Sequence, residues 1–215
     1  AMRALGAFAN VFAIESMMDE AAAAVGEDPV AFRLRHLSDP RARGVIREAA
    51  HLSGWGKQAA VEGRGRGFAF ARYKNTGAYC AVVADVTCTD EVRVNSLTIA
   101  VDVGEIISRD GVINQVEGGA IQATSWALKE AVHFAPEGIL SRGWESYPIL
   151  RFSEVPAVRV HLVERPEAPP MGAGEASQGP TGAAIANAVH DALGLRITRL
   201  PLTRETLIEA MELGQ

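Results

Sequence analysis

The first sixty residues show apolar positions at helical spacing, interrupted by two Asp-Pro pairs. Within 8–25, large apolar side chains recur every three or four positions among alanines, which predicts a helix. Two further helices are predicted over 29–37 and 40–52. Each begins with a proline directly after Asp28 or Asp39, which matches an N-cap residue followed by the first helical position. The pattern therefore predicts a compact helical segment.

The pattern changes from helices to strands near position 60. β-Branched and aromatic residues dominate 67–73, 77–88 and 91–102, and turn residues separate these runs. Three such runs joined by short turns predict an antiparallel meander. We expect a helical segment, 1–60, followed by an α+β portion, 61–215, although one continuous domain also fits the pattern.

A long helix is predicted over 111–132, and it contains an adjacent pair of glycines, Gly118 and Gly119. A glycine inside a helix costs roughly 1 kcal/mol relative to alanine. The pair therefore indicates that something approaches the helix backbone closely. The sequence leaves open whether this is another packed helix or a ligand.

The rest of the chain alternates between irregular and regular segments, and 138–156 is predicted to be irregular. Four elements follow from the pattern: a strand over 157–164, a helix that begins at Pro180 and ends before Gly194, a short strand over 196–200 and a terminal helix over 203–213. The predicted fold class is therefore α+β, with an N-terminal helical segment and an antiparallel or mixed sheet covered by helices.

The composition argues against some classes of function but does not identify one. The chain has 215 residues, of which 48% are hydrophobic, so it is long enough to bury a substantial core. A net charge of −5 argues against nucleic acid as the main partner. No apolar run reaches the length of a membrane span, and no signal peptide is evident, so we expect a cytoplasmic protein.

The metal-binding residue types are scattered. Cys80 and Cys88 match no zinc spacing and fall in strand-like sequence, so buried thiols are expected. The five histidines form no cluster. We therefore expect no metal ion ligated by protein side chains.

The nine residues Gly172–Pro180, GAGEASQGP, place one carboxylate, Glu175, in a glycine-rich turn before a helix. The free N–H groups at a helix start favour a nearby anion, and a carboxylate held there is suited to act as a general base. A purely structural turn remains an alternative. A phosphate-binding loop is disfavoured because the lysine it needs is missing, and the surroundings of Ser177 fit a hydrolase nucleophile poorly.

Four segments together resemble one enzyme family. They are Arg3–Asn10, Asp102–Gly104 with Gln115–Gly119, Trp144–Pro156 and Gly172–Asn187. The chain resembles the molybdenum-binding large subunit of the xanthine dehydrogenase/aldehyde oxidase family, most closely the isoquinoline 1-oxidoreductase and nicotinate dehydrogenase type. Subunits of that family are several hundred residues longer and carry a further GQG-type segment. The resemblance therefore implies the C-terminal portion of such a subunit.

The resemblance implies catalytic roles for two residues. Glu175 would be the active-site glutamate, which acts as a general base toward a hydroxyl group on molybdenum. Arg3 would lie near the substrate, where a fixed guanidinium orients a carboxylate or stabilises negative charge. The substrate class implied is an N-heteroaromatic compound or an aldehyde, oxidised with water as the oxygen source.

The resemblance also implies a cofactor-binding set. Gln115 would hydrogen-bond the pterin of a molybdenum–molybdopterin cofactor, in the cytosine dinucleotide form typical of bacterial members. Gly118 and Gly119 would let the helix backbone pack against it, and Gly174 and Ala176 would contribute from the turn. The metal would be held by the pterin dithiolene, so no protein ligand to the metal is expected.

The implied assembly extends beyond this chain. Electrons would leave through a [2Fe–2S] ferredoxin-like small subunit, because the chain has no cysteines that fit a cluster. The other wall of the site would come from the remainder of the large subunit or from a companion chain. We expect the isolated chain to be inactive. The alternatives are a non-catalytic scaffold that keeps the fold and a serine hydrolase using Ser177 and His190.

Overall fold

A computed structural model describes residues 2–57 and 59–212. The helices are α1 (Ala7–Ala24), α2 (Pro29–His36), α3 (Pro40–Ser53), α4 (Arg109–Leu128), α5 (Gln178–Leu193) and α6 (Arg204–Glu212). The strands are β1 (Arg64–Arg72), β2 (Tyr79–Cys88), β3 (Val92–Asp102), β4 (Phe134–Ala135), β5 (Gly138–Ile139) and β6 (Ala157–Leu162). The α+β class predicted from the sequence is confirmed.

Four strands form the main sheet in the order β1-β2-β3-β6. Antiparallel pairing joins β1 to β2 and β2 to β3, so the predicted meander is confirmed. Strand β6 adds in parallel to β3, with Leu97 opposite Val158, and makes the sheet mixed. In a separate two-stranded hairpin, β4-β5, strand β5 lies at the start of 138–156, the segment expected to be irregular.

Helices cover both faces of the sheet. Side chains alternate between the two faces along each strand, so each face carries apolar residues that a helix can bury. Along β2, Cys80, Val82 and Ala84 join the core formed with α4 and α5, whereas Ala81 and Val83 join the core formed with α2 and α3. The N-terminal helices thus share a core with the sheet. The side chains of both cysteines are buried and unpaired, as expected.

Helix α5 lies directly on β1, and two glycines make this possible. A Cβ at Gly65 would lie 2.1 Å from the carbonyl oxygen of Ala188, and a Cβ at Gly67 would lie 2.1 Å from that of Ala184. The helix is buried from Gln178 to Val189. It ends at Gly194, whose φ of 69° gives the left-handed conformation expected of that glycine.

One predicted strand and several predicted boundaries were wrong. The segment 196–200 is not a strand, because the Arg196 guanidinium bonds Asn187 and the Leu202 N–H bonds α4 instead of a sheet edge. Pro180 is the third residue of α5 and not the first. A helix tolerates proline anywhere in its first turn, where N–H groups have no partner within the helix. Helix α4 ends at Leu128 and not at 132. The end of the terminal helix predicted at 213 lies outside the described residues.

The local helix starts were predicted well. The Asp28 carboxylate accepts from the N–H groups of Val30 and Ala31, as the Asp-Pro pattern indicated. Asp39 does the same for Arg41 and Ala42.

Within the described ranges, no helix is long and apolar enough to cross a membrane.

Candidate active site

The turn that carries Glu175 is fixed against α4 by close packing. The buried Ser177 hydroxyl donates to the carbonyl of Val116 at 2.9 Å. A Cβ on Gly119 would lie 2.4 Å from the Ser177 Oγ and 2.8 Å from the Gln178 Nε2. Gly119 is therefore a packing glycine, and a Ser177 hydroxyl committed in this way is poorly placed to act as a nucleophile.

Two neutral donors hold the Glu175 carboxylate. Its Oε1 accepts from the backbone N–H of Ala4 at 2.7 Å, and its Oε2 accepts from the Tyr73 hydroxyl at 2.6 Å. The Tyr73 hydrogen bond, the Ala4 N–H and the more distant charges of Lys74 and Arg3 lower the pKa of Glu175 below its ordinary value. Glu175 is thus ionised at neutral pH and able to accept a proton.

Arg3 joins three segments of the site through hydrogen bonds. Its Nε donates to the carbonyl of Gly174 at 2.6 Å, and its Nη2 donates to the Gln115 carbonyl at 3.0 Å and the Gln115 Oε1 at 2.9 Å. With the side-chain amide of Gln178 turned to satisfy both of its ends, that oxygen also accepts from the Arg3 Nε. Arg3 thus fixes the positions of α4 and the Glu175 turn relative to each other.

The N-terminal turn after Arg3 adopts a conformation that L-residues rarely take. Ala4 has a φ of 69° and Leu5 a φ of 52°. This backbone directs the Ala4 N–H at the Glu175 carboxylate. Two consecutive residues in the left-handed region store strain, and such strain is often found at functional sites.

Tyr73 is the residue that sequence reasoning missed. It follows β1 in a short turn, and its hydroxyl reaches a carboxylate 102 positions away. Burial and the hydrogen bond to Glu175 raise the pKa of Tyr73 to about 12. The only local signal was the turn sequence Asn75–Gly77, which does not indicate what the tyrosine contacts.

An open polar surface lies along α4 next to this turn. Gln115 and Gly118 are exposed, and a Cβ at Gly118 would meet nothing within 4 Å. One turn further along, the buried Gln122 Oε1 has no hydrogen-bond partner among the described residues. The positions 115, 118 and 122 share one helix face. Accessible backbone at Gly118 beside the exposed Gln115 suits a flat, polar, hydrogen-bonding ligand.

A cavity of about 360 Å³ borders the same region, lined in part by Gln115, Ala173 and Gly174. Glu175 does not line it, because its carboxylate is turned toward Ala4 and Tyr73. Ala176 is only 3% exposed, and its side chain joins the hydrophobic core. The structure thus brings Arg3, Gln115, Gly174 and Glu175 together, and it places Gly118 on the open surface and Gly119 inside the packing.

A second perturbed carboxylate lies elsewhere, between α1, α2 and β1. The Glu15 Oε2 pairs with the Arg33 Nε at 2.8 Å and accepts from the Phe70 N–H at 2.7 Å, and Asp19 pairs with the Arg33 Nη1 at 2.6 Å. Glu15 is 5% exposed and Arg33 is 1% exposed. Burial raises the pKa of Glu15 despite the nearby guanidinium. Among residues 2–57 and 59–212, no group of three or more His, Cys, Asp or Glu side chains is arranged to hold a metal ion.

Similarity to known proteins identifies the family. Residues 12–156 match the family model described as the molybdopterin cofactor-binding domain. The chain is 44% identical to a nicotinate dehydrogenase subunit from Pseudomonas putida, over 98% of this chain and 19% of the relative. It is 37% identical to the beta subunit of isoquinoline 1-oxidoreductase from Brevundimonas diminuta, over 94% of this chain and 26% of the relative. The chain thus spans about a fifth to a quarter of the length of these relatives.

The fold is also found in a solved enzyme structure. Aldehyde oxidoreductase from Desulfovibrio gigas superposes with a TM-score of 0.81 at 16% identity, over 99% of this chain and 42% of that one. At that identity the match concerns the fold alone. The family model covers half of the chain and more, including Gln115, Gly118 and Gly119 but not Arg3 or Glu175. The chain therefore belongs to the molybdopterin cofactor-binding domain family, as its sequence motifs predicted.

Proposed function

We propose that this chain is the C-terminal part of the catalytic subunit of a molybdenum hydroxylase that oxidises N-heteroaromatic compounds or aldehydes with water as the oxygen source. The observation that carries the proposal is the ionised Glu175 carboxylate, held by neutral donors in a turn that packs against the helix bearing Gln115 and Gly118. The relatives' names, nicotinate dehydrogenase and isoquinoline 1-oxidoreductase, support this substrate class.

The residues along α4 fit the cofactor of this family. Gln115 offers its exposed side chain to a pterin, and Gly118 allows the pterin to approach the backbone. The bound cofactor supplies the two-electron redox chemistry. Gly174 and Ala176 complete the proposed set from the turn. A cytosine dinucleotide form is part of the proposal, and it rests on the resemblance to bacterial members.

Glu175 would act as the general base. A carboxylate has about four lone-pair sites, and Ala4 and Tyr73 occupy one on each oxygen. The unoccupied sites can take a proton from a nearby hydroxyl group, which contributes about 10²- to 10⁴-fold in rate. Arg3 is bonded to the protein in this structure, so its contribution is to position Glu175 and Gln115.

The proposed assembly has further parts. The remainder of the large subunit, or a companion chain, would cover the open surface along α4. A [2Fe–2S] ferredoxin-like small subunit would carry electrons away. Both relatives are named as single subunits of their enzymes, which supports a multi-subunit assembly. A cytoplasmic location and the division into a helical segment, 1–60, and a pterin-binding portion, 61–215, complete the proposal.

The test is Glu175→Gln in the complete enzyme, compared with Glu130→Gln. Glu130 is a matched control, because its Oε2 also accepts a tyrosine hydroxyl, from Tyr147 at 2.7 Å. We expect Glu175→Gln to lower turnover by about 10²- to 10⁴-fold with molybdenum content unchanged, and Glu130→Gln to leave both unchanged. Full turnover in Glu175→Gln would overturn the assignment. Turnover by the 215-residue chain alone would contradict the proposal that the site is incomplete.

One observation favours a second function, a scaffold without chemistry. Both oxygens of Glu175 and three hydrogen bonds of Arg3 are used within the protein, which is what a structural connection requires. In that case Glu175→Gln would weaken folding and leave the turnover of the assembled enzyme unchanged. The same variant therefore separates the two functions.

A further inference from the structure

The backbone of Tyr73 is fixed on both sides. Its N–H donates to the Ala78 carbonyl at 2.9 Å, and its own carbonyl accepts from the Gly77 N–H at 2.8 Å. The turn between these contacts contains Lys74 and Asn75, with φ values of 49° and 57°. Asn75 adopts the left-handed region readily, whereas Lys74 does so rarely, so the hydrogen bonds on either side help to hold this turn. The tyrosine ring therefore extends from a rigid support.

The chemistry of the Tyr73 hydroxyl makes it a permanent donor. A pKa of about 12 keeps it protonated throughout the physiological range. Its bond to the Glu175 Oε2, together with the Ala4 bond to Oε1, fixes both oxygens of the carboxylate. Two donors on different oxygens prevent rotation about the terminal side-chain bond. The carboxylate is thus presented in one plane, with its remaining lone pairs on the unbonded side.

We propose that Tyr73 is a positioning residue for the general base, whose hydroxyl fixes the orientation of the Glu175 carboxylate and leaves its unbonded lone pairs for the proton. This inference rests on the proposed function of Glu175. Arg3, Lys74 and Tyr73 are the titratable groups that act on this carboxylate. Tyr73 differs from the other two because it contacts the carboxylate directly and is neutral.

The chain offers a control with the same chemistry. All three of its tyrosines donate their hydroxyl to a carboxylate: Tyr73 to Glu175, Tyr79 to Asp39 and Tyr147 to Glu130. Tyr147→Phe therefore removes the same kind of bond, of nearly the same length, away from the Glu175 turn. Any effect confined to Tyr73→Phe belongs to the site and not to the loss of a hydroxyl in general.

The experiment measures turnover and titration separately. In the complete enzyme, Tyr73→Phe should lower kcat by about tenfold, which corresponds to one lost hydrogen bond of about 1.4 kcal/mol. It should also move the acid limb of the kcat–pH profile to higher pH, since the pKa of Glu175 rises when a donor to its charged form is lost. Carbon-13 NMR of the Glu175 carboxyl in the 215-residue chain should show its titration moving in the same direction. Tyr147→Phe should change none of the three.

A second variant guards against misfolding. 3-Fluorotyrosine at position 73 keeps the shape and strengthens the donor, so it should move the Glu175 titration to lower pH. An unchanged Glu175 titration in both Tyr73 variants would overturn the inference, as would a fall in kcat with an unmoved acid limb. Because the NMR readout needs no turnover, it is independent of Glu175→Gln. If the Glu175 titration shifts in the Tyr73 variants but Glu175→Gln keeps full activity, the hydrogen bond between Tyr73 and Glu175 is supported and the proposed function of Glu175 is refuted.

Discussion

Glu15 and Glu175 are both carboxylates with perturbed pKa values, but different groups hold them. Glu15 is buried against the Arg33 guanidinium, and burial raises its pKa. Glu175 is partly exposed and bonded to an N–H and a hydroxyl, which lower its pKa. Neutral donors leave the negative charge of Glu175 uncompensated at close range, whereas Arg33 neutralises that of Glu15.

This difference separates a structural carboxylate from a reactive one. A strongly perturbed pKa by itself marks either kind, because ion-pair networks perturb pKa values as active sites do. The informative features of Glu175 are uncompensated charge, free lone pairs and a neighbouring open surface. Glu15, by contrast, pairs directly with Arg33 and is only 5% exposed.

The largest expected effect is a loss of stability when Glu15 loses its buried ion-pair partner. Arg33→Met leaves Glu15 and Asp19 buried without their cation, so the free energy of unfolding should fall by about 3–5 kcal/mol. Arg35→Met removes a pair with Glu27 in which the arginine side chain is 55% exposed, and should cost less than about 1 kcal/mol. Urea unfolding of the two variants checks this. Equal losses would show that the buried network is no more important than a surface pair.

The next effect concerns the two glycines of α4. Gly119→Ala pushes a methyl group against Ser177 and Gln178, so it should cost about 1–3 kcal/mol in unfolding free energy. Gly118→Ala meets open space and should stabilise the helix by about 0.5–1 kcal/mol. In the complete enzyme, Gly118→Ala should nevertheless lower molybdenum content. Thermal unfolding and metal analysis give the two readouts, and equal stabilities would contradict the close packing at Gly119.

A smaller effect is expected for Glu175→Gln on stability. The amide keeps the size of the side chain, but loses charge-assisted bonds on a partly exposed group, so unfolding free energy should fall by no more than about 1.5 kcal/mol. A loss as large as that of Arg33→Met would make Glu175 a structural residue. Chemical denaturation of the 215-residue chain measures this without any need for the cofactor.

The smallest effect is a difference in pH dependence. Stability rises with pH wherever the unfolded chain binds more protons than the folded one. The pKa of folded Glu175 lies below the ordinary glutamate value of 4.5, so its contribution is present above that value and is lost as the pH falls through the lowered pKa. The pKa of folded Glu15 lies above 4.5, so stability falls as the pH rises from 4.5 through the raised value.

Variants that remove one carboxylate at a time isolate the pH dependence of stability that each carboxylate causes. The stability difference between the unaltered chain and Glu175→Gln should grow with rising pH toward 4.5. The difference for Glu15→Gln should change in the opposite direction above 4.5. Unfolding curves collected from about pH 3 to about pH 7, roughly one unit below to roughly three units above the ordinary carboxyl pKa values, check both signs. Slopes of the same sign would contradict the contrast between the two sites.

The sequence was most informative where a structure depends on neighbouring residues. The caps at Asp28 and Asp39 and the end of α5 at Gly194 follow from residues within one turn of each helix, so their patterns predicted them. The strand predicted over 196–200 was wrong because the outcome depended on distant partners. Its arginine bonds a residue of α5, which no local pattern reveals.

In the candidate site, too, features set by neighbouring residues were predictable and features set by distant residues were not. The turn around Glu175 was recognisable from its glycines, but the donors that hold the carboxylate, Ala4 and Tyr73, are 171 and 102 positions away. From the sequence alone, Gly118 and Gly119 were also predicted to share one role, a close approach to the helix backbone. Their helical positions differ by about 100°, and this rotation alone makes one a packing contact and the other an accessible surface.

The contact between α5 and β1 has a consequence for the proposed base. At Gly65 and Gly67 a hydrogen atom stands where any other residue would place a carbon, and the helix backbone lies directly against it. Any larger residue at either position would push α5 away from β1. The Glu175 turn leads directly into α5, so its placement depends on this contact. A methyl group added at Gly65 or Gly67 should displace the helix and lower the turnover of the complete enzyme.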